Sequence, residues 1–250
     1  MAATQENRHI AVSSPLGGDK LLLRRMEMQE SLGRLFEIEL ELLSEDESIK
    51  FEDVVGQDMT LKMEIQDGSD RFFHGFCTEF SQTGRLGNLA TYQAILRPWL
   101  WFLTRTADCR IFQEMTAPDI IKEVFREHGF SDFKESLGAS YRTWEYCVQY
   151  RETDFTLVSR LMAQEGIYYY FEHETGKHTL VFADSYSAHS LISAYEQVPY
   201  YPPSENVRRE GDSISELRIS KAVQAGAYVL DSFDFKKPKA ELRTNTSIQR

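Results

Sequence analysis

Apolar and polar residues alternate along much of the first hundred positions. Residues 36–42 alternate apolar and acidic without a break, which predicts a strand that buries one face and exposes Glu37, Glu39 and Glu41. Residues 61–65 alternate again, and Asp67-Gly68 then supplies the positive φ angles that a tight hairpin needs. Strands at such short intervals, joined by local turns, indicate an antiparallel sheet or barrel.

The strand that returns from this hairpin is rich in aromatic residues. Strict alternation predicts that it carries a row of large side chains on one side, namely Phe72, His74, Phe76 and Phe80. One more strand, around residues 92–96, is predicted to stop at Pro98.

The apolar spacing becomes helical in the middle of the chain. Pro98 predicts the start of a short helix over residues 99–103. Thr116 is the expected N-cap of a longer helix that ends at Gly129, and another helix begins near residues 153–154 and stops at Gly166. The chain therefore changes from strands to helices after about residue 98.

Strand patterns return after Gly166. The runs 167–171 and 179–182 flank a turn at residues 175–177, which predicts a hairpin, and further strands are expected at 217–219 and 228–235. Residues 195–212 contain prolines and no periodicity, so we expect a long loop that is functional or mobile, poorly protected in an isolated protomer and ordered, if anywhere, against a neighbouring subunit. The polar, basic residues 236–250 are expected to lead into a longer protein.

Charge and composition exclude several classes of protein. Lys and Arg number 28 against 39 Asp and Glu, and the net charge of −11 disfavours nucleic acid as a partner. Cys77, Cys109 and Cys147 are odd in number and far apart, so we expect unpaired, buried thiols in a chain that folds in a reducing compartment. Neither a signal peptide nor an apolar run of about 18 residues is present, so no stable membrane insertion is expected.

The motifs of common enzymes are missing. No phosphate-binding GxxxxGK[ST] or GxGxxG loop and no GxSxG nucleophile elbow occurs. The acidic residues give no sign that two of them converge as a glycosidase pair, and the run Tyr168-Tyr169-Tyr170 suits packing better than stacking on a sugar or base.

One group of side chains resembles a metal site. Glu172, His173 and Glu174 lie close in sequence to His178, but a zincin needs two histidines four apart on one helix. These histidines are five apart and separated by a glycine turn, so they can at most face each other across the hairpin. The preferred interpretation is a solvated turn, and no catalytic, cofactor-binding or metal residue is predicted.

Two stretches nevertheless resemble a known family. They are YQAILRPWLWFLTRTADCRIFQEMTAPDIIKEVFREHGF (residues 92–130) and YRTWEYCVQYRETDFTLVSRLMAQEGIYYYFEHETGKHTLVFADS (residues 141–185). Both closely resemble the N-terminal hub of VgrG, the valine-glycine-repeat spike proteins of type VI secretion systems. LLLRRMEMQESLGRLFEIELELLSED near the start and YVLDSFDFKKPKAELR near the end are similar to the same family in the same order, so the resemblance runs from about residue 21 to residue 243.

The resemblance implies a fold, an assembly and a set of partners. The family is related to contractile-phage baseplate hubs, in which two barrel-like domains per chain form a trimer whose pseudo-sixfold face adapts the spike to the hexameric Hcp tube. The expected fold is therefore mainly β with an α/β insert (α+β). Residues 1–98 and 166–250 would be two barrel-like antiparallel β domains, and residues 99–165 a helix-containing insert between them.

A structural, non-enzymatic role in the spike follows, with no cofactor. The implied partners are two further copies of the chain, the Hcp tube and baseplate components, while a PAAR-repeat tip and effectors would attach through C-terminal parts that are missing here. Assembly in the bacterial cytoplasm and export without a signal peptide are expected. A baseplate hub of a contractile prophage is the nearest alternative, and a cell-wall glycan hydrolase is the alternative from another class.

Overall fold

The computed structural model describes residues 4–65, 68–191, 196–202 and 213–247. The chain divides into two compact units, Met1–Glu196 and Gln197–Arg250. The strands of the first unit are β1 (Ile10–Ser13), β2 (Leu22–Gln29), β3 (Glu37–Ser44), β4 (Asp58–Glu64), β5 (Asp70–Leu86), β6 (Leu89–Arg97), β7 (Ala107–Phe112), β8 (Met115–Thr116), β9 (Phe133–Ser136), β10 (Thr143–Trp144), β11 (Cys147–Thr153), β12 (Tyr168–Glu174) and β13 (Lys177–Ala183). Its helices are α1 (Ala117–Glu127) and α2 (Asp154–Glu165), with short 3-10 turns at Phe51–Asp53, Trp99–Thr104 and Tyr186–Ala188.

A six-stranded antiparallel sheet forms most of the first hundred residues, in the order β1-β4-β5-β6-β3-β2. Alternation determines which face is buried. In β3 the side chains of Ile38, Leu40 and Leu42 are fully buried, while Glu39 is exposed and Glu37 and Glu41 lie partly exposed on the outer face. The predicted antiparallel sheet and the predicted acidic face are confirmed.

Strand β5 departs from strict alternation. A register shift between Cys77 and Glu79 inserts an extra residue against β6, which is a β-bulge. Phe73 and Cys77 face the core before the bulge and Phe80 faces it afterwards. The prediction that Phe80 shares a side with Phe72, His74 and Phe76 is therefore wrong, because an extra residue reverses the side-chain alternation.

The outer strands β1 and β2 are joined by a side chain instead of a strand ladder. Gln5 is buried and its Oε1 accepts hydrogen bonds from the main-chain N–H groups of Val12 and Leu23, both at 3.0 Å. Its Nε2 donates to the carbonyl oxygens of Val12 and Leu21, both at 3.1 Å. The primary amide thus pairs with β1 and with the start of β2 as a peptide group would, and the curled sheet closes through it.

The middle of the chain carries the predicted helices. Thr116 and Thr153 cap α1 and α2 by accepting N–H groups three residues further on, and Gly166 ends α2 in the left-handed conformation at φ 71°. The short helix after Pro98 is a 3-10 helix. Strands β7 and β11 form a two-stranded ribbon beside these helices.

The hairpin β12–β13 forms where the sequence predicts it. Strand β9, from the segment between the two predicted β domains, adds to β13 in parallel and gives a three-stranded sheet in the order β12-β13-β9. One continuous apolar core includes Ile38 of the large sheet, Ile121 of α1 and Leu180 of β13. The fold is mainly β with a small helical insert, as predicted, and the division at residues 98 and 165 stays a prediction.

In the described residues of the second unit, β14 (Ala227–Leu230) pairs with β15 (Thr244–Ser247). The strand predicted at residues 228–235 thus appears only in its first part, and residues 217–219 form no strand. Of the predicted loop 195–212, residues 195 and 203–212 lie outside the described residues.

All three cysteines are free, as predicted. Cys77 and Cys147 are buried, and burial raises the pKa of the Cys77 thiol to about 12. Cys109 is exposed, so the prediction of a buried thiol is wrong there.

We predict that replacing Gln5 by Ala destabilises the protein. Two main-chain N–H groups and two carbonyls would lose their partner in a buried site, which costs roughly 2–3 kcal/mol. Urea denaturation followed by fluorescence measures the free energy of unfolding. Gln29→Ala, at an exposed position in β2, is the matched control and should change it by less than about 0.5 kcal/mol. Equal effects of the two substitutions would contradict closure through Gln5.

Candidate functional site

The histidines singled out in the sequence lie opposite each other in the β12–β13 hairpin. His173 pairs directly with His178 in the strand register. The two rings are buried, so the interpretation of this segment as a solvated turn is wrong for them. The neighbouring Glu172 and Glu174 do lie at the surface, where they form ion pairs with Lys134 and Lys177.

A third buried histidine, His74 of β5, completes the cluster. His74 Nδ1 lies 2.8 Å from His178 Nδ1, and the main-chain N–H of His74 donates to His173 Nδ1 at 3.1 Å. The main-chain N–H of Trp99, at the start of the 3-10 helix, donates to His178 Nε2 at 2.9 Å. The cluster, called here the histidine joint (His74, His173 and His178), thus connects the large sheet, the hairpin and the first turn of the middle segment.

The hydrogen bonds determine where each proton lies. Because His178 Nε2 accepts from Trp99, a neutral His178 carries its proton on Nδ1 and donates it to His74 Nδ1. His74 must then be protonated on Nε2, which lies 3.4 Å from Asp58 Oδ2. Both nitrogens of His178 are occupied, so this ring offers no free base to a substrate.

His173 takes the same tautomer as His74. Its Nδ1 accepts from the His74 main chain, so its proton lies on Nε2. That Nε2 is buried without a hydrogen-bond partner, and Glu30 Oε1 lies 4.0 Å away.

Burial keeps the three rings neutral. It lowers the pKa of His74 from 6.5 against the opposing charge of Asp58, lowers the pKa of His173 to about 4 and lowers that of His178 to about 2. A second proton on any ring would also set one N–H against another N–H. The joint is therefore compatible only with neutral imidazoles.

Small and aromatic residues allow the strands to meet at the joint. Gly75 follows His74, and a Cβ built there would lie 3.0 Å from Leu96 Cβ and 3.3 Å from Phe36 Cε2. The Phe36 ring packs edge-on against Phe171 and His178, with centroid distances of 5.0 and 5.4 Å. A side chain at position 75 would separate these layers.

The sequence reasoning missed a second polar cluster, in the middle segment. Asp154, at the first turn of α2, is buried and accepts hydrogen bonds from Arg110 and Gln149 on Oδ1, both at 2.7 Å. Its Oδ2 lies 2.6 Å from His128 Nε2. These partners come from β7, β11 and the end of α1, so the buried carboxylate holds both helices and the ribbon together.

The remaining candidates are structural in this geometry. Tyr169 is buried, whereas the Tyr168 and Tyr170 hydroxyls donate to the carbonyls of Ser185 and Ala188. Over residues 4–65, 68–191, 196–202 and 213–247, no three or more His, Cys, Asp or Glu side chains form a group that could hold a metal ion. The expectation of no catalytic, cofactor or metal residue stays a prediction.

Comparison with known proteins relates this chain to phage tail baseplate hubs and to type VI secretion spike proteins. The phage tail baseplate hub (GPD) family matches residues 29–250. The chain is 51% identical over 250 residues to the type VI secretion system spike protein VgrG1b of Pseudomonas aeruginosa and 51% identical over 246 residues to VgrG1a of the same species. It covers 34% and 38% of those proteins, about a third of their length.

A solved structure shows the same similarity. It is the c3393 protein of E. coli, described as a type VI secretion component with structural similarity to the T4 bacteriophage tail proteins gp27 and gp5. The TM-score is 0.60 at 28% identity, over 69% of this chain and 51% of that one. This chain thus has the fold of a phage-tail hub component, and it belongs to the phage tail baseplate hub family.

We predict that the histidine joint makes the fold sensitive to acid. The unfolded histidines titrate near the ordinary value of 6.5 and the folded ones lower, so the unfolded state binds more protons below that pH. Stability is complete above about pH 7 and falls as the pH decreases, by up to ~1.4 kcal/mol per pH unit for each histidine. Urea denaturation measured from pH 7.5 to 5.0 gives the slope of the free energy of unfolding against pH.

Two variants test the contribution of the joint. His178→Gln keeps a neutral donor and acceptor and should flatten the slope, whereas Gln29→Ala, at an exposed position that carries no titrating group, should leave it unchanged. An unchanged slope in His178→Gln would contradict the assignment.

Proposed function

We propose that this chain is the hub region of a type VI secretion spike and that its role is mechanical. The observation that carries the proposal is the match to the baseplate hub family over residues 29–250, together with 51% identity to a spike protein along the full chain. The buried histidines support a mechanical role, since both nitrogens of His178 and Nδ1 of His173 connect the hairpin to β5 and to the 3-10 helix.

The proposed unit of function is a trimer. If residues 1–98 and 166–250 each supply a barrel-like β domain around the insert 99–165, three chains present six similar domains. A heterologous interface that closes after three subunits gives such a ring. The face of the ring that carries the six domains would dock on the hexameric Hcp tube and transmit the force of contraction to the spike.

Exposed apolar side chains in residues 213–247 support assembly. Ile219, Val223 and Phe235 are 84%, 99% and 78% exposed, and Leu230 of β14 is 70% exposed. A two-stranded pair such as β14–β15 is marginal in water, and large exposed apolar surface is typical of interaction sites. We infer that this unit buries these residues against other subunits.

The further partners follow from the same proposal. They are baseplate components and, through C-terminal parts of the longer spike protein, a PAAR-repeat tip and effectors. We propose assembly in the bacterial cytoplasm and export by contraction without a signal peptide. In the part of the chain that the structure describes, no helix is long and apolar enough to cross a membrane.

A contractile-prophage hub is the second candidate. It is favoured by the family match, whose description names phage tails, and by the tail-protein similarity stated for the E. coli c3393 structure. The identity to VgrG1b favours the secretion spike over it. A cell-wall glycan hydrolase has no comparable support.

The trimer is testable with two forms of the protein. We expect the 250-residue chain to be a monomer or a weak trimer in dilute solution, and a form extended by the neck and needle of a VgrG1b-type spike to be a stable trimer. The needle would hold three chains at high effective concentration. Mass photometry gives the stoichiometry, and electron-microscope class averages give the symmetry of the tube-facing end.

The extended form should also bind Hcp rings, whereas the same needle without residues 1–250 should not. Closed dimers, or rings without sixfold pseudo-symmetry, would contradict the hub proposal.

A further inference from the structure

A cleft beside the histidine joint is walled by parts of β5 and β12 that pair with no further strand among the described residues. It has a volume of about 700 Å³, which is within the range of ligand sites of ~300–1,000 Å³. Its walls include Phe72 and Arg71 of β5 and Phe171 and His173 of β12, with Glu30 and Tyr170. All of these residues belong to the first compact unit.

The β5 wall is a free strand edge. Strand β6 pairs with β5 only from Phe76 onward, because β6 ends at Arg97 before Pro98. In the β4–β5 hairpin, the N–H of Ile65 donates to the carbonyl of Ser69, so hydrogen-bonded pairs recur at every second residue from there. The main-chain groups of Asp70, Phe72 and His74 therefore point away from β4. His74 N–H does so, since it donates to His173.

The β12 wall has the same character. The carbonyl of Tyr169 accepts the N–H of Gly33, so the main-chain groups of Tyr169 point away from β13. Because this direction recurs at every second residue, the main-chain groups of Phe171 and His173 also point away from β13. Among the described residues, the outward main-chain groups of Phe72 and Phe171 have no hydrogen-bond partner. Both walls of the cleft thus present donors and acceptors in the spacing of a strand.

A buried side-chain donor faces the same cleft. The His173 side chain is 8% exposed, its Nε2 carries a proton without a hydrogen-bond partner, and Glu30 Oε1 on the cleft wall lies 4.0 Å away. Burial raises the pKa of Glu30 and the charge of Arg71 partly offsets this, but at 4.0 Å Glu30 is too far from Nε2 to accept its hydrogen bond. An acceptor supplied from outside would complete the hydrogen bonding of His173.

The charges in the cleft favour an acidic group in whatever binds. Asp70 and Glu172 are already neutralised by ion pairs with Lys62 and Lys134. Arg71 forms no ion pair within the described residues and lies over the Phe73 ring at 4.9 Å. Glu30 feels the charge of Arg71 but forms no ion pair with it, so an acidic side chain of a ligand could form that pair.

We propose that this cleft is a peptide-binding site that accepts an extended segment of a partner protein as an added strand along β5. Its main chain pairs with Asp70 and Phe72, and its alternate apolar side chains lie against the aromatic walls. A carbonyl or carboxylate reaches His173 Nε2, and an acidic residue lies near Arg71. This is strand addition at a free edge, in which main-chain bonds give affinity and alternate side chains give specificity.

Peptide selection with a counter-target tests the proposal. A displayed library of random decapeptides is selected on the 250-residue protein and counter-selected on Phe72→Pro. Proline removes the outward N–H and is tolerated at a strand edge, so the β4 ladder remains. Phe72→Ala is the matched control, because it loses the ring but keeps the N–H. Enriched sequences are then synthesised, and binding is measured by fluorescence anisotropy.

We expect peptides with apolar residues at alternate positions and an acidic residue. Their affinity should fall at least tenfold on Phe72→Pro and less on Phe72→Ala. Methylation of the peptide amides that face β5 should weaken binding to the unaltered protein similarly, which keeps the test valid if Phe72→Pro does not fold. The proposal is overturned if no sequence is enriched, if methylated peptides bind equally well, or if binding depends on the Phe72 ring and not on its N–H.

Discussion

The neutrality of three buried imidazoles is the constraint on which the arrangement of this protein depends. His178 accepts a main-chain proton from Trp99 with one nitrogen and donates to His74 with the other, and His173 accepts from the main chain of His74. These bonds join residues 79 to 104 positions apart in sequence, and they form only while each ring carries one proton. Leaving one of these buried groups unpaired would cost about 1–3 kcal/mol, which is a large share of the ~5–15 kcal/mol that stabilises a typical domain.

Two other polar contacts share this role and differ in chemistry. Gln5 closes the large sheet with an uncharged amide, whereas Asp154 holds the helical insert through Arg110 and His128. A buried ion pair adds little to the free energy of unfolding compared with apolar packing. Removing one partner leaves the other charge buried and lowers that free energy by ~3–5 kcal/mol. The three contacts fix the relative positions of elements that the apolar core alone would hold with less precision. Such rigidity suits a protein whose proposed work is to transmit force.

The sequence was informative where local rules decide the structure. Alternation in residues 36–42 predicted β3 and its acidic face, and Thr116, Thr153 and Gly166 marked helix ends that the structure has. Prediction from the sequence failed where one inserted residue or a hydrogen-bond partner distant in sequence determines the structure. The bulge in β5 reversed the side of Phe80, and residues 217–219 have a strand pattern without a strand. The sequence shows His74 only as part of an aromatic row, because nothing local pairs it with His178. Function came from the resemblance of residues 92–130 and 141–185 to a known family, since the joint carries no motif of its own.

The protonation state of the joint is the property that tests this account most directly. Two-dimensional ¹H–¹⁵N spectra of the imidazole rings distinguish the two neutral tautomers from the charged form, and His178→Gln assigns the His178 signals. We predict an Nδ1–H tautomer for His178 and Nε2–H tautomers for His74 and His173 at pH 7.5, with His173 and His178 still uncharged at pH 6. A charged His173 or His178 at pH 6, or an Nε2–H tautomer at His178, would contradict this prediction.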